Sequence, residues 1–161
     1  MFDLDKIGAG EWFPYQDSVI DDKGNIEWLP IECDDDGSPA ERVCFKQSDP
    51  DEHRLVRDKY RGKKTNNPVL NTLTKAMELI PTFDQTPEQE KAERMEFWDK
   101  TIVDWDLKDP KGQPVPCTKE NKYKLIKGHM PFLRFCNRSL QILQNAKAEE
   151  EKAAEKNLLN G

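Results

Sequence analysis

Four cysteines (Cys33, Cys44, Cys117 and Cys136) and two histidines (His53 and His129) are the side chains of this chain best suited to act as nucleophiles, soft metal ligands or near-neutral proton carriers. Their spacing assembles none of the usual sites. No Cys-x-x-Cys pair occurs and each histidine stands alone, so the closely spaced ligand pairs of a zinc site are missing. Reduced, partly buried thiols are the expected state of all four cysteines. Cys136 and His129 form the one combination that resembles a thiol–imidazole dyad. Cys136, however, lies in an apolar helical pattern, where a thiol serves as core filling. Asp34-Asp35-Asp36-Gly37 offers carboxylates to a calcium ion. An EF-hand loop alternates its oxygen ligands and places a bidentate Glu at position twelve. Here the acids are consecutive and position twelve is Phe45, so a solvated turn is expected. The 31 acidic residues offer so many carboxylate pairs that none signals glycoside chemistry. The sequence has no Gly-rich phosphate loop, no Gly-x-Ser-x-Gly elbow and no His-Glu-x-x-His. These observations point away from an enzyme and from any metal or cofactor.

Charge separates along the chain. Residues 1–48 carry 12 acids and 4 bases, and residues 106–145 carry 3 acids and 8 bases, within a net charge of −6. Solvated faces account for this, and self-association or a charged partner would also exploit it. Two basic zones, Arg54 to Lys64 around Tyr60 and Lys119 to Arg138, are compatible with nucleic acid. Specific binders usually have a basic domain, whereas this chain has a pI near 5.1, so nucleic-acid binding is not expected. Nor is a membrane role, because no window approaches the roughly 18 to 20 apolar residues that span a bilayer. The first residues, Met1 to Lys6, lack the basic and apolar regions of a secretory signal, so a cytosolic protein is expected.

The elements that must position these residues divide into two kinds. Hydrophobic residues make up 35% and charged residues 35%, so the core should be lean and part of the chain should lie outside it. Residues 1–48 read as a small antiparallel sheet. Glu11 to Tyr15 is an aromatic stretch, and Ser18–Ile20 and Asn25–Leu29 flank a Gly24 hairpin turn. Arg42–Lys46 is a further strand. Residues 49–145 read as helical. Asp49-Pro50 starts one helix, which runs toward Tyr60 and ends in a flexible basic link, Arg61–Thr65. Asn67-Pro68 caps a second, with a stripe of Val69, Leu70, Leu73, Ala76, Met77 and Ile80 that Pro81 closes. Thr86-Pro87-Glu88-Gln89 is a capping box for a third helix, whose one face holds Met95, Trp98, Ile102 and Trp105. A proline-rich connector from Leu107 to Pro116 leads to a Thr118-capped helix and then to a Pro131-led helix bearing Phe132, Leu133, Phe135 and Cys136. Residues 146–161 should form a solvated helical tail, rich in Ala, Glu and Lys. The fold class is therefore α+β: a small N-terminal antiparallel sheet, a mainly α-helical domain and a helical C-terminal tail. Trp98, Ile102, Trp105, Phe132 and Leu133 are candidates either for the core or for a partner site, since Trp is enriched at binding hot spots.

The segment from Phe97 to Leu133 carries a family resemblance. Ile102-Val103-Asp104-Trp105 is followed by the turn around Gly112, then by Pro114-Val115-Pro116-Cys117-Thr118-Lys119-Glu120-Asn121, Leu125-Ile126 and Pro131-Phe132-Leu133. This pattern, over about a quarter of the chain, resembles the tail assembly chaperones of long-tailed bacteriophages and related prophages. The resemblance implies a non-enzymatic protein of the host cell cytoplasm that coats and solubilises a tape measure protein, recruits tail tube subunits and is absent from the finished virion. The other roles considered are a structural tail or head–tail connector subunit and a small acidic regulator of a host protein.

Overall fold

The structure is a computed structural model that describes residues 9–47 and 49–160. Its elements, in chain order, are β1 (Glu11–Pro14), β2 (Ser18–Ile20), β3 (Ile26–Trp28), β4 (Arg42–Phe45), α1 (Pro50–Lys59), β5 (Lys63–Leu70), β6 (Met77–Asp84), α2 (Pro87–Thr101), β7 (Ile102–Trp105), α3 (Lys119–Gly128) and α4 (Met130–Asn160). The class is α+β, with small antiparallel sheets and a long last helix. The described residues before position 49 join those from Trp98 onward in one compact unit, and Asp49–Phe97 form a second. The division at position 49 falls where the sequence placed one, but residues from Trp98 onward group with the N-terminal strands, because β1 and β4 take their third strand from β7.

In the first unit β4 is the central strand, in the order β1-β4-β7, with both pairings antiparallel. Its run of Val43, Cys44 and Phe45 is buried, so both faces of the strand are covered there. The sheet therefore extends beyond residues 1–48. Ile102 and Trp105, expected on a helix face, lie on β7 instead. The α2 helix stops at Thr101, where the backbone N–H of Lys46 reaches its carbonyl at 2.9 Å. Burial along β7 then falls on its two ends, Ile102 and Trp105, while Val103 and Asp104 face out. The β-branched pair Ile102-Val103 suits a strand better than a continued helix.

The α4 helix lays Phe132, Phe135 and Cys136 into the core of this unit. Phe135 meets Phe45 at 5.7 Å and Tyr15 at 5.1 Å between ring centroids, and Phe132 meets Trp105 edge-on at 6.1 Å. Spacings of 4.5–7 Å are where aromatic pairs gain beyond simple burial. The Trp105 indole N–H donates to the Val115 carbonyl at 2.6 Å, so the proline-rich connector closes over the ring. Gly112 turns that connector at φ +77, a conformation that favours glycine. The β2–β3 hairpin forms as its sequence indicates, with Asp21 Oδ1 accepting from the backbone of Lys23 and Asn25 at 2.9 and 2.8 Å. Arg134 Nε donates to Ser18 Oγ at 2.8 Å, and Arg138 stacks 3.6 Å over the Trp28 ring, tying this hairpin to α4.

Three helix starts match their sequence signals, while the one expected at Asn67-Pro68 falls within β5. Asp49 caps α1 through Asp51 N–H, and Thr118 caps α3 through Asn121 N–H. Thr86 and Gln89 exchange reciprocal bonds of 2.9 and 3.2 Å at the start of α2. The last fifteen described residues of α4 are helical and exposed.

The thiols divide by environment. Cys44 and Cys136 are buried, Cys117 is half-buried and Cys33 is exposed. Burial pushes the Cys136 thiol far above its ordinary range, and Cys44 and Cys117 upward. In the native state a thiol reagent should therefore label Cys33 quickly, while Cys44 and Cys136 react only as the protein opens. Loss of the fast phase in Cys33→Ser is the check; fast labelling of Cys44 or Cys136 would contradict the assignment. The folded pKa of Cys136 lies above its unfolded value. Its contribution to stability is thus complete below the ordinary thiol range and is lost as pH rises through and beyond it. Urea titrations should show stability falling above about pH 9.

The second unit departs most from expectation. Residues 67–81, expected as a helix, form a β-hairpin, and the expected flexible link at Arg61–Thr65 runs into β5. Thr65, Val69, Ile80 and Thr82 are β-branched and favour strands. Asn71 supplies the turn: its Oδ1 accepts from Leu73 N–H at 3.0 Å and its carbonyl from Lys75 N–H at 2.8 Å, with Lys75 at φ 55. Gly62 is required at the base, since a Cβ there would strike the Asp84 carbonyl. Beside the hairpin, α1 meets the second half of α2 through Lys59–Glu96 at 3.4 Å and the His53–Phe97 rings at 4.6 Å.

Candidate partner-binding surface

The sequence candidates for a partner site lie mostly inside. Trp98, Ile102, Trp105 and Phe132 are buried, and Leu133 is half-buried. Trp98 sits near the end of α2, Ile102 and Trp105 on β7, and Phe132 and Leu133 on α4. Ile102, Trp105 and Phe132 belong to the sheet-and-helix core, and none of the buried four presents a surface for docking.

The groups with chemical potential are held in structural roles. Cys136 is sealed in the core with a protonated thiol, whereas a nucleophilic cysteine needs a lowered pKa and access. His129 Nε2 lies 3.5 Å from the Tyr15 hydroxyl. Asp34 to Ser38 is a tight turn in which Asp36 Oδ1 accepts from both the backbone and the hydroxyl of Ser38, and these bonds lower the Asp36 pKa. Among the described residues no group of three or more His, Cys, Asp and Glu is placed to hold a metal ion.

Several cations of the two basic zones are also engaged. Arg54 pairs with Asp51 and Arg61 with Asp58 on or beside α1. Lys122 is buried and donates from Nζ to the Asp99 carbonyl at 3.1 Å and to Asp99 Oδ1 at 3.0 Å, pinning α3 to the end of α2. Removing one partner strands a buried charge. Asp99→Ala should therefore cost about 1–3 kcal/mol in urea unfolding, a figure kept low because the carboxylate is partly exposed. Lys122→Met should cost less, because it removes the charge that needs a partner. The reverse order would refute this account.

What remains unsatisfied is the hairpin. The register pairs Lys64 with Phe83, Asn66 with Pro81, Pro68 with Leu79 and Leu70 with Met77. Directly opposed residues share a face and successive rungs alternate. These four rungs therefore form one face, dominated by Phe83, Pro81, Pro68, Leu79, Leu70 and Met77. Every one of these side chains is exposed, Leu79 at 69% and Met77 at 64%. The other face is more polar. There Thr65 and Thr82 hydroxyls meet at 2.9 Å, Asn67 Nδ2 donates to Thr82 at 2.7 Å, and Asn71 Nδ2 donates to Glu78 at 3.0 Å.

The two prolines add a second property. The Asn71 N–H donates to the Ala76 carbonyl, which makes the next rung, Leu70–Met77, a non-hydrogen-bonded pair. By alternation Pro68–Leu79 and Asn66–Pro81 are of the same kind. Both prolines thus sit where a backbone N–H would point outward, one on each edge. They blunt both edges against strand addition, and the apolar face, rather than an edge, is left for contact.

An isolated two-stranded ribbon is marginal in water, and each large apolar side chain left exposed forgoes about 1.5–3 kcal/mol of burial. A contiguous apolar face on such a ribbon is the kind of patch that marks an interaction site. Its period-two signal, Leu79-x-Pro81-x-Phe83, is present in the sequence but is masked by a helical stripe drawn from both faces and the turn. Among the described residues no helix is long and apolar enough to cross a membrane. No protein-family model, curated protein or solved structure matches the chain.

Proposed function

We propose that this chain is a non-enzymatic protein-binding module acting as a phage tail assembly chaperone, with the apolar face of the β5–β6 hairpin as its client surface. The observation that carries the reading is that face: six apolar side chains on one side of a ribbon, all exposed, with proline on both edges. A holdase for a long, apolar client needs a surface that is greasy enough to bind yet resists pairing edge to edge with itself. The sequence pattern from Ile102 to Asn121 supplies the family, and with it the partners: a tape measure protein as client and tail tube subunits as recruits, in the host cell cytoplasm. Co-expression with a tape measure protein tests the reading. Its soluble fraction should rise, and no gain would overturn the proposal. Abundant copies of this chain in purified virions would favour a structural tail or connector subunit instead.

A further inference from the structure

The charges around the hairpin face say more about what it accepts. Lys64 stands on that face at its base and Lys75 lies in the turn at the hairpin tip, and neither forms an ion pair among the described residues. The hairpin's own acids, Glu78 and Asp84, fall on the opposite face by register. An apolar strip with a cation at each end selects an apolar segment that carries carboxylates. It also disfavours pairing with the same face of another copy, since a two-fold arrangement of antiparallel ribbons brings Lys64 of one near Lys75 of the other.

A segment of the required kind exists on this chain. Near the far end of α4, Glu151, Glu155, Leu158 and Leu159 fall at i, i+4, i+7 and i+8, one face of a helix. Leu158 and Leu159 are 82% and 87% exposed, and no ion pair involves either glutamate among the described residues. The dimensions agree. Eight residues of helix from Glu151 to Leu159 span about 12 Å. Four residues of strand from Lys64 to the Pro68–Leu79 rung span about 14 Å. Leucines seated on that rung leave Glu151 and Glu155 within side-chain reach of Lys64.

We infer that the Leu158-Leu159 end of α4 from one copy docks on the hairpin face of a second copy. The contact is head-to-tail, so a pair leaves one hairpin face free on the first copy and one helix end free on the second, and the copies assemble into open chains or rings. This inference shares with the chaperone reading only the use of the hairpin face. On that reading a client segment displaces the helix end.

Sedimentation of the full chain tests it, with two double variants: Leu158→Asp/Leu159→Asp at the helix end, and Met77→Asp/Leu79→Asp on the hairpin. Wild-type mass should rise with protein concentration and fall with added salt. Either variant alone should associate at least roughly tenfold more weakly. An equimolar mixture of the two should form dimers and stop there, because one intact hairpin face meets one intact helix end. A wild-type chain that stays monomeric up to about 100 μM, a level at which contacts of micromolar affinity are populated, overturns the inference. So does association that survives the leucine replacements, or a mixture that yields no dimer. The helix-end variant lies at fully solvated positions, so loss of folding does not confuse the outcome. Co-expression of that variant with a tape measure protein separates the two readings. A monomeric protein that still raises client solubility leaves the chaperone reading standing, whatever the fate of this one.

Discussion

Replacing Met77 and Leu79 with aspartate is expected to return a co-expressed tape measure protein to the solubility it has with no chaperone present, while leaving this chain folded. Both side chains are largely exposed, so the native state has little burial to lose, and the change in its stability should stay within about 0.5 kcal/mol. A bound client changes that balance. Each residue stands to contribute about 1.5–3 kcal/mol when covered, and an aspartate in its place must be desolvated against apolar surface, which costs several kcal/mol more. The combined loss should exceed about 4 kcal/mol, or roughly a thousandfold in affinity. Lys63→Ser, on the opposite face by register, serves as the control and should leave client yield unchanged. Full client solubility with the aspartate pair in place would remove the hairpin face from the mechanism.

Phe135→Ala should produce the largest loss of stability. The ring is 1% exposed and sits among Tyr15, Phe45 and Phe132, with centroid separations of 5.1, 5.7 and 6.3 Å. Truncation removes the burial of a phenyl group and leaves a cavity between the sheet and α4, neither of which can collapse without breaking the other contacts. The expected cost is about 3–5 kcal/mol, read as a lower urea midpoint with an unchanged slope. Leu158→Ala, at the far end of the same helix, should cost less than about 0.5 kcal/mol by the same measurement. A Phe135→Ala loss below about 1 kcal/mol would mean that α4 is not seated on the sheet as described.

These two experiments probe opposite ends of what could be read in advance. Three helix starts were legible because each depends on a few adjacent residues. Asp49, Thr86 and Thr118 cap helices through bonds that reach only two or three residues ahead, and no distant partner is needed. The β2–β3 turn is local in the same sense, closed by Asp21 and Gly24. The α+β class, the proline-rich connector and the solvated end of α4 follow from similar short-range signals.

Tertiary structure decided the rest, and for the core residues the deciding partner lies far away in sequence. Ile102 and Trp105 are spaced like a helix face, yet they become a strand because β4, some sixty residues earlier, offers an open edge. Trp98 and Phe132 were candidates for a partner site, yet packing removes them from the surface. Residues 69–80 carry a helical stripe and also an alternating one, and a short apolar run does not choose between the two periods. The Asn71 turn and the close approach permitted by Gly62 resolve that choice in favour of a hairpin. Sequence alone determined the caps at Asp49, Thr86 and Thr118 and the turn at Asp21–Gly24, because those events are governed by neighbours along the backbone. Which apolar residues are buried and which are left for a partner was settled only by the tertiary structure, because burial depends on what the rest of the chain brings alongside.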